Sequence, residues 1–63
     1  MSKQVAVTFS MTECLSTFTE IVDTSDDSIE NLKGILNQRI IDAKIVLNNK
    51  IPKVKNIVLV VPA

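Results

Sequence analysis

Thr12-Glu13-Cys14-Leu15-Ser16-Thr17-Phe18-Thr19-Glu20-Ile21-Val22-Asp23 is the segment on which the fold turns. Wound as a helix, it aligns Met11, Cys14, Leu15, Phe18, Ile21 and Val22 in one apolar stripe, with Ser10 and Glu13 spaced as a capping box. Extended as a strand, it alternates less cleanly, because Leu15 and Ile21 face one way and Phe18 and Val22 the other. Composition points toward the strand: Thr12, Thr17, Thr19, Ile21, Val22 and Thr24 are β-branched and Phe18 is aromatic. Against a hairpin stands the turn itself, since Met11-Thr12-Glu13-Cys14 offers no Gly or Asn. Periodicity and propensity disagree, and the strand is the preferred reading.

Upstream, the alternation is strict. Val5, Val7, Phe9 and Met11 fall on one side, and Gln4, Ala6, Thr8, Ser10 and Thr12 on the other, the period of a strand with one buried face. Downstream, Asp23-Thr24-Ser25-Asp26-Asp27-Ser28 is a dense cluster of N-cap residues, and Asp27 with Glu30 has capping-box spacing. A helix from about residue 27 to 48 follows. Its stripe is Ile29, Leu32, Leu36, Ile40, Ala43 and Leu47, widened by Ile35 and Val46, with Ile41 and Ile45 extending the arc. Gly34 marks either close packing or a tolerated surface glycine. Asn48-Asn49-Lys50 closes the helix and Pro52 forbids its continuation.

The tail, Lys55 to Pro62, contains the longest apolar run of the chain, Ile57-Val58-Leu59-Val60-Val61. It reads as a strand that is apolar on both faces, flanked by the gatekeepers Lys53, Lys55 and Pro62. Together these elements predict a single α+β domain over residues 1–63, a ββαβ module with one long helix on a three-stranded sheet. One helix covers one sheet face, so the second face or the sheet edge is expected to meet another copy of the chain. Ile57, Val58, Leu59, Val60 and Val61 are the expected oligomer interface.

Size supports the same expectation. A chain of 63 residues buries only about 60% of its unfolded surface and often needs a disulfide, a metal or self-association. One Cys and no His leave no disulfide and no ordinary zinc set, so no cofactor or metal is expected. Net charge is zero, but its distribution is uneven. Residues 1–31 carry Lys3 against six acids, and residues 32–63 carry six bases against Asp42. Acids at the start and bases at the end of the helix complement its dipole. No signal sequence or membrane span is legible, and the lone Cys14 suits a reducing compartment, so the expected location is cytoplasmic.

Catalysis finds little support. Cys14 has no His to serve as base and is expected to be a small core residue. Asp26 and Asp27 read as capping residues. With one Gly there is no phosphate loop. Lys50, Lys53 and Lys55 cluster before the tail as possible anion or ligand contacts, without aromatic neighbours on which bases would stack. The hydroxyl-rich first half, from Ser10 to Ser28, reads as caps and solvated strand face, or as the lining of a polar groove.

With residues 12–23 helical, the first 47 residues resemble a ribbon-helix-helix DNA-binding module: strand Lys3 to Phe9, helix Met11 to Val22, helix Asp27 to Leu47. The resemblance implies that strands of two chains pair and that Gln4, Ala6 and Thr8 read the major groove. Asp26 and Asp27 stand where a phosphate would approach the second helix, and the first helix has no base, which weighs against nucleic acid. The preferred functional reading is a small non-catalytic interaction protein without a membrane role, binding a protein partner and acting as a homo-oligomer. By analogy of size and composition it is an adaptor, regulator or inhibitor of the kind viruses encode. A ligand-sequestering oligomer is a further alternative.

Overall fold

The computed structural model describes residues 1–63, arranged as β1 (Lys3–Met11), β2 (Thr17–Thr24), α1 (Ile29–Asp42) and β3 (Val54–Pro62). The sheet is antiparallel in the order β2-β1-β3, so the alternating first strand is the central one. Its inner residues Val5, Val7, Phe9 and Met11 form the floor of the core with Val22 and Val54. Leu32, Leu36 and Ile40, one face of α1, form the roof. The ββαβ reading is therefore the architecture found.

The segment 12–23 splits into a loop and a strand. β2 pairs with β1 in unbroken register from Lys3↔Thr24 to Ser10↔Thr17, and Phe18 lies opposite Phe9, ring centroids 6.1 Å apart. The missing turn residue is replaced by Glu13, which takes φ 65°. Its carboxylate is held from across the fold, accepting from Asn48 Nδ2 at 3.2 Å and lying 3.7 Å from Lys50 Nζ. Thr12 also exchanges two bonds with Lys53, one through its backbone N–H and one through its hydroxyl. With residues 17–24 in a strand, the ribbon-helix-helix layout does not form. β1 has a neighbour on each side and no free edge with which to pair another chain.

The helix starts at Ser28, not at an Asp27–Glu30 box. Ser28 Oγ accepts from the Asn31 backbone N–H at 3.3 Å, and Asp26 Oδ1 accepts from Ser28 N–H at 3.0 Å. Asn31 reaches back instead of Glu30, its Nδ2 donating to the Asp26 carbonyl at 2.6 Å and to Thr24 Oγ1 at 3.2 Å. Asp27 turns to Lys3, 3.0 Å away; the hydrogen bond and charge of Lys3 hold its carboxyl below the ordinary value of 3.8.

The helix ends at Asp42 rather than near Asn48. Lys44 adopts φ 55°, its N–H bonds to the Ile41 carbonyl, and the Ile45 N–H bonds to that of Ile40. This is a Schellman closure built without glycine. Leu47 and Lys50 then bond each other twice around Asn48 and Asn49, both at positive φ, as the tight turns of hairpins require. Thus Ile45, Val46 and Leu47, read as the last helical turn, belong to the connection.

Gly34 faces open space: a Cβ built on it meets nothing within 4 Å. The close-packing reading is set aside. Gly34→Ala is expected to raise stability by about 1 kcal/mol, the helix-propensity gain, measured as a higher urea midpoint.

The tail also departs from a plain two-faced strand. Register shifts lie between Thr8 and Phe9 and between Ser10 and Met11, leaving Val58 and Lys55 as extra residues in β3. The two bulges turn the inward positions into Val54, Ile57 and Val60, spaced by three, of which Val54 is buried and the other two pack against the core. Ile57 and Val60 are consequently used by the chain's own core. Of the five residues assigned to an interface, Val58, Leu59 and Val61 are exposed.

Candidate functional site

Two surfaces stand out. The first is the outer face of the sheet, which α1 does not cover. Ala6 lies between Ile21 of β2 and Val61 of β3, and in the next row Thr8 lies between Thr19 and Leu59. Ile21, Leu59 and Val61 are 50%, 53% and 39% exposed, and Thr8 and Thr19 join their hydroxyls at 3.0 Å. An apolar row thus runs across all three strands beside a hydroxyl row.

The edges of that sheet differ. β3 carries two bulges, Lys55 and Pro62, the features that blunt an edge against further pairing. β2 has none of them, and one of its carbonyls, that of Ile21, accepts from Arg39 Nη1 at 2.8 Å.

The second surface is a half-open cleft of about 380 Å³ on the helix side. It exists because the α1 backbone approaches β3 more closely than β2, leaving the inner face of β2 partly uncovered. Phe9 and Phe18 make its floor; Leu36 and Ile40 of α1, with Ala43 just after it, make its roof. Met11 and Cys14 close it from the β1–β2 side, and Ile45 and Leu47 from the connection after the helix. Its two charged groups are Glu20 and Arg39, with Arg39 Nη1 3.6 Å from Glu20 Oε1 and both side chains about half exposed. Cys14 is half-buried in this wall and is not part of the core, contrary to expectation. The loop that holds it joins the paired ends of β1 and β2 and places it at the rim of the core.

A wider depression of about 540 Å³ at the start of α1 is lined by Asp26, Ser28, Glu30 and Asn31 and has one apolar side chain, Ile35. Its acids and its openness give no enclosed surface for a ligand.

The lysines do not converge on the cleft. Lys50 faces Glu13, Lys53 lines a separate hollow of about 330 Å³ with Asn37, Ile41, Ile51 and Pro52, and Lys55 sits at a bulge of β3. Gln4, Ala6 and Thr8 are placed on the outer face of β1. The sequence reading missed the cleft and the pair Glu20–Arg39, whose members lie on different elements. The one available signal was that Glu20 shares the inward side of β2 with Phe18 and Val22.

No group of three or more Cys, Asp or Glu side chains is placed to hold a metal ion. No helix is long and apolar enough to cross a membrane. Compared with known proteins, the chain matches no family model, no curated sequence and no solved structure.

Proposed function

We propose that this chain is a small non-catalytic interaction protein, an adaptor or inhibitor, that acts as a homo-oligomer. The observation that carries this reading is the uncovered apolar row on the outer sheet face, Ile21–Ala6–Val61 with Leu59 beside it. A contiguous exposed apolar patch on a small domain is characteristic of a protein contact. Two such faces stack at about 10 Å as in a β-sandwich, each supplying the cover that a single helix cannot. Of the tail residues expected at the contact, Val58, Leu59 and Val61 remain available and Ile21 joins them, since Ile57 and Val60 serve the core.

Light scattering on the purified chain tests this reading. The wild type is expected at a multiple of 6.9 kDa. Leu59→Thr with Val61→Thr, a strand-compatible pair of changes on the outer face, is expected to lower the mass to one chain with an unchanged far-UV spectrum. A wild-type mass of one chain, or a double variant that stays assembled, contradicts the proposed contact.

A second reading has its own observation in its favour. The cleft beside Phe9 and Phe18 has the size and apolar lining of a small-molecule site, which supports a ligand-sequestering role.

A further inference from the structure

We infer that the cleft takes a medium-chain carboxylic acid, its hydrocarbon tail on Phe9 and Phe18 and its carboxylate on Arg39. The inference rests on the second reading above, that the cleft is a binding site, and supplies the chemistry of what binds.

Volume and lining set the tail. About 380 Å³ lies within the roughly 300–1,000 Å³ of ordinary small-molecule sites. Apart from Glu20 and Arg39 the walls are hydrophobic, with no hydroxyl, amide or other charge to reward a polar group along the chain. A hydrocarbon tail fits such a surface.

The two charged groups set the head. Arg39 is held in place: its Nη1 donates to the Ile21 carbonyl at 2.8 Å, which orients the guanidinium before any ligand arrives. A guanidinium has five N–H donors and suits a carboxylate fork. Glu20 has no comparable anchor. It makes no hydrogen bond, stands 3.6 Å from Arg39 and is 52% exposed. It can turn into water, whereas Arg39 is tied to the sheet edge. An incoming carboxylate therefore replaces Glu20 on Arg39. An ammonium head would instead face Arg39, which gives up its bond to the Ile21 carbonyl if it turns away.

This exchange has a distinctive consequence. Glu20 competes internally for Arg39, so removing its charge strengthens acid binding, while removing Arg39 weakens it.

Calorimetric titration of the full chain with decanoate, octanoate and decanol, each below its aggregation threshold, tests the inference. Decanoate is expected to bind one per chain. Octanoate, two methylenes shorter, is expected to bind about tenfold more weakly. Decanol is expected to bind about tenfold more weakly than decanoate, for want of the charge-assisted bond. Arg39→Gln should remove that preference, Glu20→Gln should tighten decanoate and leave decanol unchanged, and Ala43→Phe, which fills the cleft, should abolish both. Equal binding of decanoate and decanol by the wild type overturns the assignment of an acid while leaving the cleft a binding site; this comparison needs no variant. Failure of Glu20→Gln to tighten decanoate also overturns it. Absence of binding by either compound overturns the cleft reading as well.

Discussion

Leu36→Ala is expected to lower the unfolding free energy by about 3 kcal/mol, within the range of about 2–5 for emptying a buried leucine site. Leu36 is 1% exposed and sits in the roof of the core between Leu32 and Ile40. The loss combines the transfer energy of the missing carbons with the cavity they leave, and nine buried apolar residues give the core little material with which to collapse around it. A domain this small has only a few kcal/mol of stability in total, so the variant should be substantially unfolded in water. Urea denaturation followed by far-UV dichroism reads the effect. Ile41→Ala is the control: Ile41 is 52% exposed on the other side of α1, and its removal should cost well under half as much. Equal losses from the two changes would show that the helix is packed through a different face.

Asn37→Ala is expected to cost about 1–3 kcal/mol through a different mechanism. Asn37 Oδ1 accepts from the backbone N–H of Val54 at 2.8 Å, where β3 begins and Val54 is buried. Truncation leaves that donor without a partner in a place water does not easily reach, and the penalty is the desolvation of an unpaired amide. The bond also ties α1 to the strand it lies nearest, so its loss should loosen the start of β3 first. Amide exchange at Val54 is expected to accelerate while exchange in the centre of β1 follows only the global loss. Asn37→Asp, which keeps an acceptor oxygen at the same position, should recover most of the protection. Unchanged exchange at Val54 in Asn37→Ala would mean that the amide is satisfied elsewhere.

The parts of the fold that were legible share a property: each is written in adjacent residues. The alternation Val5, Val7, Phe9, Met11 identifies a half-buried strand whatever surrounds it. Leu32, Leu36 and Ile40 identify the buried face of the helix, and all three are buried. The cluster Asp23 to Ser28 locates the helix start to within a residue, although Ser28 and Asn31 do the work assigned to Asp27 and Glu30. In the segment 12–23, β-branched composition was a better guide than apolar spacing. A stripe at helical intervals arises easily among short apolar residues, whereas a helix must bear the χ1 cost of each Thr, Ile and Val.

The misreadings share the opposite property. The apolar pattern Ile40, Ala43, Leu47 continues past the point where Lys44 turns left-handed, and no glycine announces the turn. The run Ile57 to Val61 looks two-faced because sequence does not show the bulges at Lys55 and Val58. Cys14 looks like a core residue because its type is commonly buried, while its loop holds it at the wall of a cleft.

By itself, then, the sequence determined the element types, their order and the helical face that is buried. Tertiary structure alone decided where the helix stops, which tail residues face inward, and that Phe9, Phe18, Leu36 and Arg39 surround one cleft. The reason is the range of the forces involved. Strand alternation and helix caps are settled between residues a few positions apart. The left-handed Glu13 is held by Asn48 and Lys50, Thr12 by Lys53, Val54 by Asn37 and Arg39 by Ile21, each from a distant part of the chain and each only once the sheet and helix have closed.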